Sequence, residues 1–162
     1  MDITLPLSEA FALAAAKEPF PAVVRSVTAD GTAVHLEIDL RVIPDPPLAL
    51  RVAAAAIGTV SVSATFTGYS LGTATFEIAA HARSLPAHKL LNHLTGQIDS
   101  ALRRRGLPEG LVVVHKGEDE PVVAIHLQDA VAAKSTGISL TAFDIREATA
   151  YVHLAVGEVA LL

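Results

Sequence analysis

Three stretches of the chain alternate apolar and polar residues almost without error. They are residues 34–42, 60–67 and 73–81. In the second stretch, Val60, Val62, Ala64 and Phe66 are separated by Ser and Thr. Because successive side chains of a strand point to opposite faces, this period of two predicts antiparallel strands with one apolar side. The fold then depends on where that apolar side is buried.

A long amphipathic helix is predicted after the third stretch, over residues 86–105. Pro86 is tolerated in its first turn, and Gly106 and Pro108 end it. One side of this helix carries apolar residues at helical spacing: Leu90, Leu91, Leu94, Ile98, Ala101 and Leu102. Burying each of the larger ones contributes roughly 1.5–3 kcal/mol. We therefore expect the helix to pack on the apolar side of the strands.

A shorter helix is predicted near the amino terminus. The Ser8 hydroxyl can accept hydrogen bonds from the free amides of the first turn, and Glu9 suits the positive end of the helix dipole. Pro19 and Pro21 prevent continuation, so the helix is expected to run to about Lys17.

The first hairpin is predicted around Asp30-Gly31, a dipeptide that supplies the positive φ angles of a two-residue turn. Its strands are residues 23–28 and 33–42. This turn places Val27 opposite Val34. It also places Arg25 opposite an apolar side chain, which indicates an edge strand or a bulge.

The segments that follow leave some choices open. Residues 44–47 contain three prolines and mark a loop, whereas residues 48–57 suit either a strand or a short helix. Residues 68–72 form either a loose hairpin turn or a bend within one strand. Further strands are predicted at residues 111–115, 122–128, 138–142 and 148–156.

Together these elements predict a single α+β domain over residues 1–162. We expect a strongly curved antiparallel sheet packed around one long amphipathic helix, with a short N-terminal helix. A chain of about 150 residues can bury roughly two thirds of its unfolded surface without disulfides or metals. No linker rich in Gly, Ser or Pro divides the chain.

Composition narrows the classes of partner. Hydrophobic residues make up 51% and charged residues 18%, against about a quarter charged in typical domains, which favours an oligomer interface or a lipid-like ligand. The absence of cysteine excludes disulfides, thiolate metal sites and cysteine nucleophiles. The net charge of −5 gives no reason to expect binding to nucleic acid.

Neither a signal peptide nor a transmembrane segment is expected. Asp2 stands where a signal peptide would be basic, and we expect a cytoplasmic protein. Residues 52–76 lack charge and are long enough to cross a bilayer, but eight Ser or Thr and the period of two favour a pair of strands.

No motif indicates catalysis, a metal or a cofactor. Of seven histidines, His88 and His93 are five residues apart and do not share a helix face. The chain has no Gly-x-Ser-x-Gly elbow and no dinucleotide glycine pattern. The acidic run 118–120 suits a solvated hairpin tip. For the arginines at 103–105, the helix dipole explains the cations better than contact with a phosphate headgroup.

The order of these elements resembles the tubular lipid-binding (TULIP-like) β proteins. The resemblance covers about the last hundred residues: a long strand region at 60–81, the helix at 86–105, the segment LPEGLVVV at 107–114, and strands within 138–156. It implies an apolar groove between the helix and a curled sheet that shelters an acyl chain or a similar molecule. The resemblance has no residue-specific motif, so it assigns a role to no individual residue.

The first functional hypothesis is therefore a non-enzymatic protein that binds a lipid-like or other hydrophobic small molecule between helix and sheet. The expected lining residues are the largest on the inward rows: Phe66, Phe76, Ile78, Leu90, Leu94, Ile98 and Val152. Alanines on those rows leave room that Leu or Phe would fill. An ordinary closed core is the alternative for the same residues.

Two further hypotheses remain open. The protein is a structural or assembly module that forms oligomers or binds a protein through a sheet face or edge. Otherwise it is an enzyme that uses a histidine on the sheet face, which is the least favoured of the three. The sequence identifies no ligand, pathway or strand order.

Overall fold

The computed structural model describes residues 1–43, 45–46, 48–81 and 87–162. Within residues 48–57, it describes every side chain except those at 49, 50, 53 and 57. The strands are β1 (Asp2–Pro6), β2 (Val24–Asp30), β3 (Ala33–Asp39), β4 (Thr59–Ser70), β5 (Thr73–His81), β6 (Val112–His115), β7 (Val122–His126), β8 (Ser135–Arg146) and β9 (Thr149–Leu161). The α-helices are α1 (Leu7–Lys17), α2 (Leu48–Ile57), α3 (Ala87–Arg104) and α4 (Leu127–Ala132).

The strands form two antiparallel sheets. The larger has the order β2-β3-β4-β5-β7-β6 and the smaller has the order β1-β9-β8. The predicted α+β class with antiparallel strands is confirmed. We expected one sheet, one long helix and one short helix. This prediction is wrong, since the described residues form two sheets and four α-helices. Alternation along a strand shows its apolar face but not its partner, so the sequence pattern could not separate β8 and β9 from the larger sheet.

The first hairpin turns one residue later than predicted. Asp30 pairs with Ala33, and Gly31 takes a positive φ of 58° in the turn, so Val27 lies opposite Leu36. The register shifts between Val24 and Ser26, and the irregularity predicted near Arg25 is confirmed. The third strand ends at Asp39, where a 3-10 helix (Leu40–Val42) begins.

The structure resolves the two open choices. Residues 48–57 are helical. Residues 68–72 form a tight hairpin: Ser70 pairs with Thr73, and the register shifts between Phe66 and Gly68. Gly72 has a φ of +82°, and a Cβ there would lie 2.7 Å from Cβ of Gln128, so both conformation and space require glycine. The predicted helix start at 84–86 and the prolines at 44 and 47 lie outside the described residues.

The main core lies between α3 and the inner face of the larger sheet. Val60 and Val62 of β4 and Ile78 of β5 are buried in one cluster with Leu90 and Leu94 of α3. Leu90 is only 1% exposed. The alternating rows and the leucine stripe therefore share one interior, as their periods predict.

An aromatic cluster joins the two sheets. Phe66 meets Phe76 edge to face with ring centroids 5.7 Å apart, and it meets Phe143 of β8 at 5.6 Å. Tyr69 packs against Phe143 at 6.2 Å and donates a 2.7 Å hydrogen bond from Oη to the carbonyl oxygen of Leu140. Burial raises the pKa of Tyr69, which keeps its hydroxyl protonated as a donor.

Replacing Tyr69 with Phe should weaken the connection between the sheets. The variant keeps the ring but leaves the Leu140 carbonyl without this donor, so the free energy of unfolding should fall by about 1–2 kcal/mol in urea melts. Tyr151→Phe on the outer face is the matched control and should change it by less than about 0.5 kcal/mol. Equal effects of the two variants would contradict this account.

A candidate apolar ligand cavity

A cavity of about 330 Å³ lies between α3 and the larger sheet. The stripe of α3 forms one wall, and the inner faces of all six strands of the larger sheet form the other. The cavity is neither sealed nor a flat surface, since Ile98, Val112 and Val114 on its wall keep part of their surface exposed. Its walls are almost wholly aliphatic, so the medium that they offer is close to hydrocarbon.

Small residues at the centre of the sheet make the room. Ala80 pairs with Val62, and Ala64 pairs with Ile78, so each alanine lies beside a larger side chain on the row that faces α3. Both alanines line the cavity, as does Ala101 on the helix. Alanine reaches less far from the sheet than Leu or Phe would, so these positions leave space between the sheet and α3.

Two polar side chains interrupt the apolar wall within the described part of the chain. They are Gln97 and Arg105, both half-buried. Arg105 donates from Nη1 to the carbonyl oxygen of Ala14 at 3.1 Å and from Nη2 to that of Glu18 at 2.7 Å. The guanidinium therefore ties the end of α1 to the end of α3, next to the cavity.

A buried carboxylate holds the backbone at the rim. Asp39 is 4% exposed and accepts hydrogen bonds from Arg25 Nη1 at 2.9 Å and from Arg41 Nε at 2.9 Å. Its backbone amide donates to the carbonyl oxygen of Val23 at 2.7 Å. The hydrogen bonds from Arg41 and Arg25 hold the pKa of Asp39 well below its usual value. This cluster fixes Val23 and Ile38, which line the cavity.

The structure brings four of the seven expected lining residues together. Ile78, Leu90, Leu94 and Ile98 line the cavity. Phe66 and Phe76 lie in the aromatic cluster between the sheets. Val152 pairs with Phe143 in the smaller sheet. None of these three side chains lines the cavity.

Sequence reasoning missed several lining residues. Val62, Ala64 and Leu36 belong to rows that the alternation already shows, and including whole rows would have found them. Val112 and Val114 needed the pairing of β6 with β7. The sequence around Arg105 did not indicate that it lines the cavity, because its hydrogen-bond partners, Ala14 and Glu18, are far away in the chain.

Two of the histidines hydrogen-bond to an oxygen that could take part in chemistry. His126 Nδ1 lies 3.0 Å from Thr73 Oγ1, and His153 pairs with Asp2. The Asp2 and His153 side chains are 83% and 53% exposed, so water solvates both. Neither histidine lines the apolar cavity. No group of three His, Asp or Glu side chains among the residues of known position is arranged to hold a metal ion.

Exposed apolar side chains occur at the end of the β8–β9 hairpin. Val156 is 52% exposed, and Leu161 is 84% exposed. The oligomer hypothesis stays a prediction, with this hairpin as a place where a second copy could pack.

Comparison with known proteins finds no matching family model, no matching curated protein and no matching solved structure. Across the described ranges, no helix combines the length and apolar character needed to cross a bilayer. The cavity and its lining are therefore the features from which a function can be inferred.

Acid should test the role of Asp39. A carboxyl whose folded-state pKa lies below its usual value of 3.8 contributes stability above about pH 4, and the contribution is lost as pH falls toward the folded-state pKa. The free energy of unfolding of Asp39→Asn should therefore be lower than that of wild type at pH 7, and the difference should shrink below pH 4. Asp144→Asn, which removes an exposed ion pair with Arg146, should show little difference at any pH. Parallel curves for wild type and Asp39→Asn would rule out this role.

Proposed function

We propose that this protein binds one lipid-like, apolar small molecule in the cavity between α3 and the larger sheet. The observation that carries the proposal is the cavity itself, which is lined by aliphatic side chains from two elements that otherwise pack as a core. Ligand sites in proteins are concave and mostly apolar, with a few polar groups that fix orientation. Gln97 and Arg105 are groups of that kind.

The volume supports an occupant of moderate size. An engineered apolar cavity of about 150 Å³ binds benzene, which has six carbon atoms. The cavity of about 330 Å³ is a little over twice as large, so it suits roughly thirteen carbon atoms by the same scale. A medium-length alkyl chain has this size.

An occupant would also relieve an energetic cost. In the empty cavity the aliphatic walls face solvent, and removing apolar surface from water contributes about 25 cal/mol per Å². A bound alkyl chain covers these walls, which gives the protein a thermodynamic reason to hold one.

The resemblance to the TULIP-like proteins favours the same function. It leads us to propose in addition that the larger sheet curves around α3, so that the ligand lies along the helix. The resemblance concerns the order of elements, and the proposal depends on the cavity rather than on it.

Filling the cavity should block binding. We expect delipidated wild-type protein to bind 1-decanol with a Kd on the order of 10 µM, from about 0.8 kcal/mol for each of nine methylenes. Ala80→Leu places three more carbons in the cavity, so its Kd should rise at least tenfold in calorimetric titrations. Its free energy of unfolding should stay the same or rise by up to about 2 kcal/mol, because the void is filled.

Ala79→Leu is the matched control. It makes the same change at the adjacent position of β5, on the opposite face, where Ala79 pairs with Ser63. Its affinity for 1-decanol should match that of wild type. The proposal fails if wild type does not bind 1-decanol, or if both variants lose affinity equally.

A further inference from the structure

The three consecutive arginines at the end of α3 have different surroundings. Arg103 pairs with Glu109 at 2.9 Å, and Arg104 pairs with Glu18 at 3.1 Å. Arg105 has no carboxylate within 4 Å among the described residues. Its two hydrogen bonds go to neutral carbonyl oxygens of α1. Arg105 is also the one of the three that lines the cavity.

The Arg105 guanidinium keeps the capacity for a further partner. A guanidinium has five N–H donors in a planar fork, and two of them are used here. Three donors remain, and a carboxylate needs two for a bidentate pair. A half-buried cation beside an apolar cavity gains more from such a partner than a solvated surface arginine does.

The charges in contact at this end of α3 favour an anion. Lys134 Nζ donates to the Arg105 carbonyl oxygen at 2.9 Å, which adds a fourth cation to the three arginines. Glu18 and Glu109 are the acidic side chains paired with this group. Asp99 lies about one turn before Arg103 on α3 and forms no ion pair with these cations among the described residues. Arg105 and Lys134 are therefore the two cations of this group that pair with no carboxylate among the described residues, in a chain whose net charge is −5.

We propose that the ligand is an anionic amphiphile whose carboxylate binds Arg105 and whose alkyl chain lies in the cavity along α3. This inference rests on the proposed function and adds the chemistry of the head group. Arg105 follows the carboxyl end of α3, and Ala87 at its amino end also lines the cavity. At 1.5 Å per residue the two are about 27 Å apart. The head group is therefore at one end of the cavity, and the chain points toward the start of the helix.

A matched pair of probes tests the head group. Decanoate and 1-decanol have the same number of carbons but differ in charge at pH 8. In an apolar cavity without a cation, the charged probe would bind more weakly because its carboxylate loses water. With Arg105 as its partner, decanoate should bind wild type at least as tightly as 1-decanol does. Arg105→Met should weaken decanoate at least tenfold and should weaken 1-decanol by a clearly smaller factor.

Two further variants separate charge from fold. Arg103→Met removes the same charge from an exposed ion pair and should change neither affinity by more than about threefold. Arg105→Lys keeps the charge without the fork and should bind decanoate with intermediate affinity. Circular dichroism would show whether Arg105→Met loses the fold. In that case the ratio of decanoate to 1-decanol affinity in wild type, and the affinities of Arg105→Lys, still test the inference.

The outcomes distinguish this inference from the proposed function. If wild type binds neither probe, the proposed function fails and this inference fails with it. If wild type binds 1-decanol more tightly than decanoate, or if Arg105→Met weakens both probes equally, the head-group assignment is wrong and the apolar site stands. Loss of decanoate affinity in Arg103→Met equal to that in Arg105→Met would also overturn the assignment, because net charge alone would explain it.

Discussion

The apolar face of the six-stranded sheet must be covered, by α3 over one part and by the smaller sheet through Phe143 over another, and the rest of the structure depends on that constraint. Strands lie about 4.8 Å apart, so six strands are roughly 24 Å wide, whereas a helix with its side chains is about 10–12 Å wide. The stripe of α3 covers the middle of the inner face around Val62 and Ile78, where Leu90 and Leu94 are buried. Space remains beside the helix wherever strand residues are small. The cavity is thus a consequence of sheet width and of the alanines at positions 64 and 80.

The periodic part of the fold could be predicted from sequence, because it depends on neighbouring residues. The rows of β3, β4 and β5 and the stripe of α3 each follow from spacing along the chain. The pairing of β1 with β9 could not be predicted in this way, since Asp2 and His153 are far apart in sequence. The turn at Gly31 is one residue from its predicted place because Asp30-Gly31 and Gly31-Thr32 both supply a positive φ at glycine. Packing of the strands then selects the register.

The candidate site was predictable to the same extent. The expected residues on α3, together with Ile78 on β5, line the cavity, because burial of an apolar stripe follows from its period. Phe66 and Phe76 lie on the same rows but reach the junction between the sheets, where Phe143 meets them across a long separation in the chain. The helix dipole alone gives the same role to all three arginines at 103–105. Tertiary partners separate them, since α1 supplies only carbonyl oxygens to Arg105.

The central claim is that a persistent apolar cavity lies between α3 and the larger sheet, and xenon tests it without any assumption about the ligand. Xenon enters dry apolar cavities, and isoleucine methyl groups report its position by NMR in the delipidated protein. The account predicts shifts at Ile38, Ile78, Ile98 and Ile125, which line the cavity, and none at Ile3 or Ile138. No shifts, or shifts that are largest at Ile3 and Ile138, would contradict it.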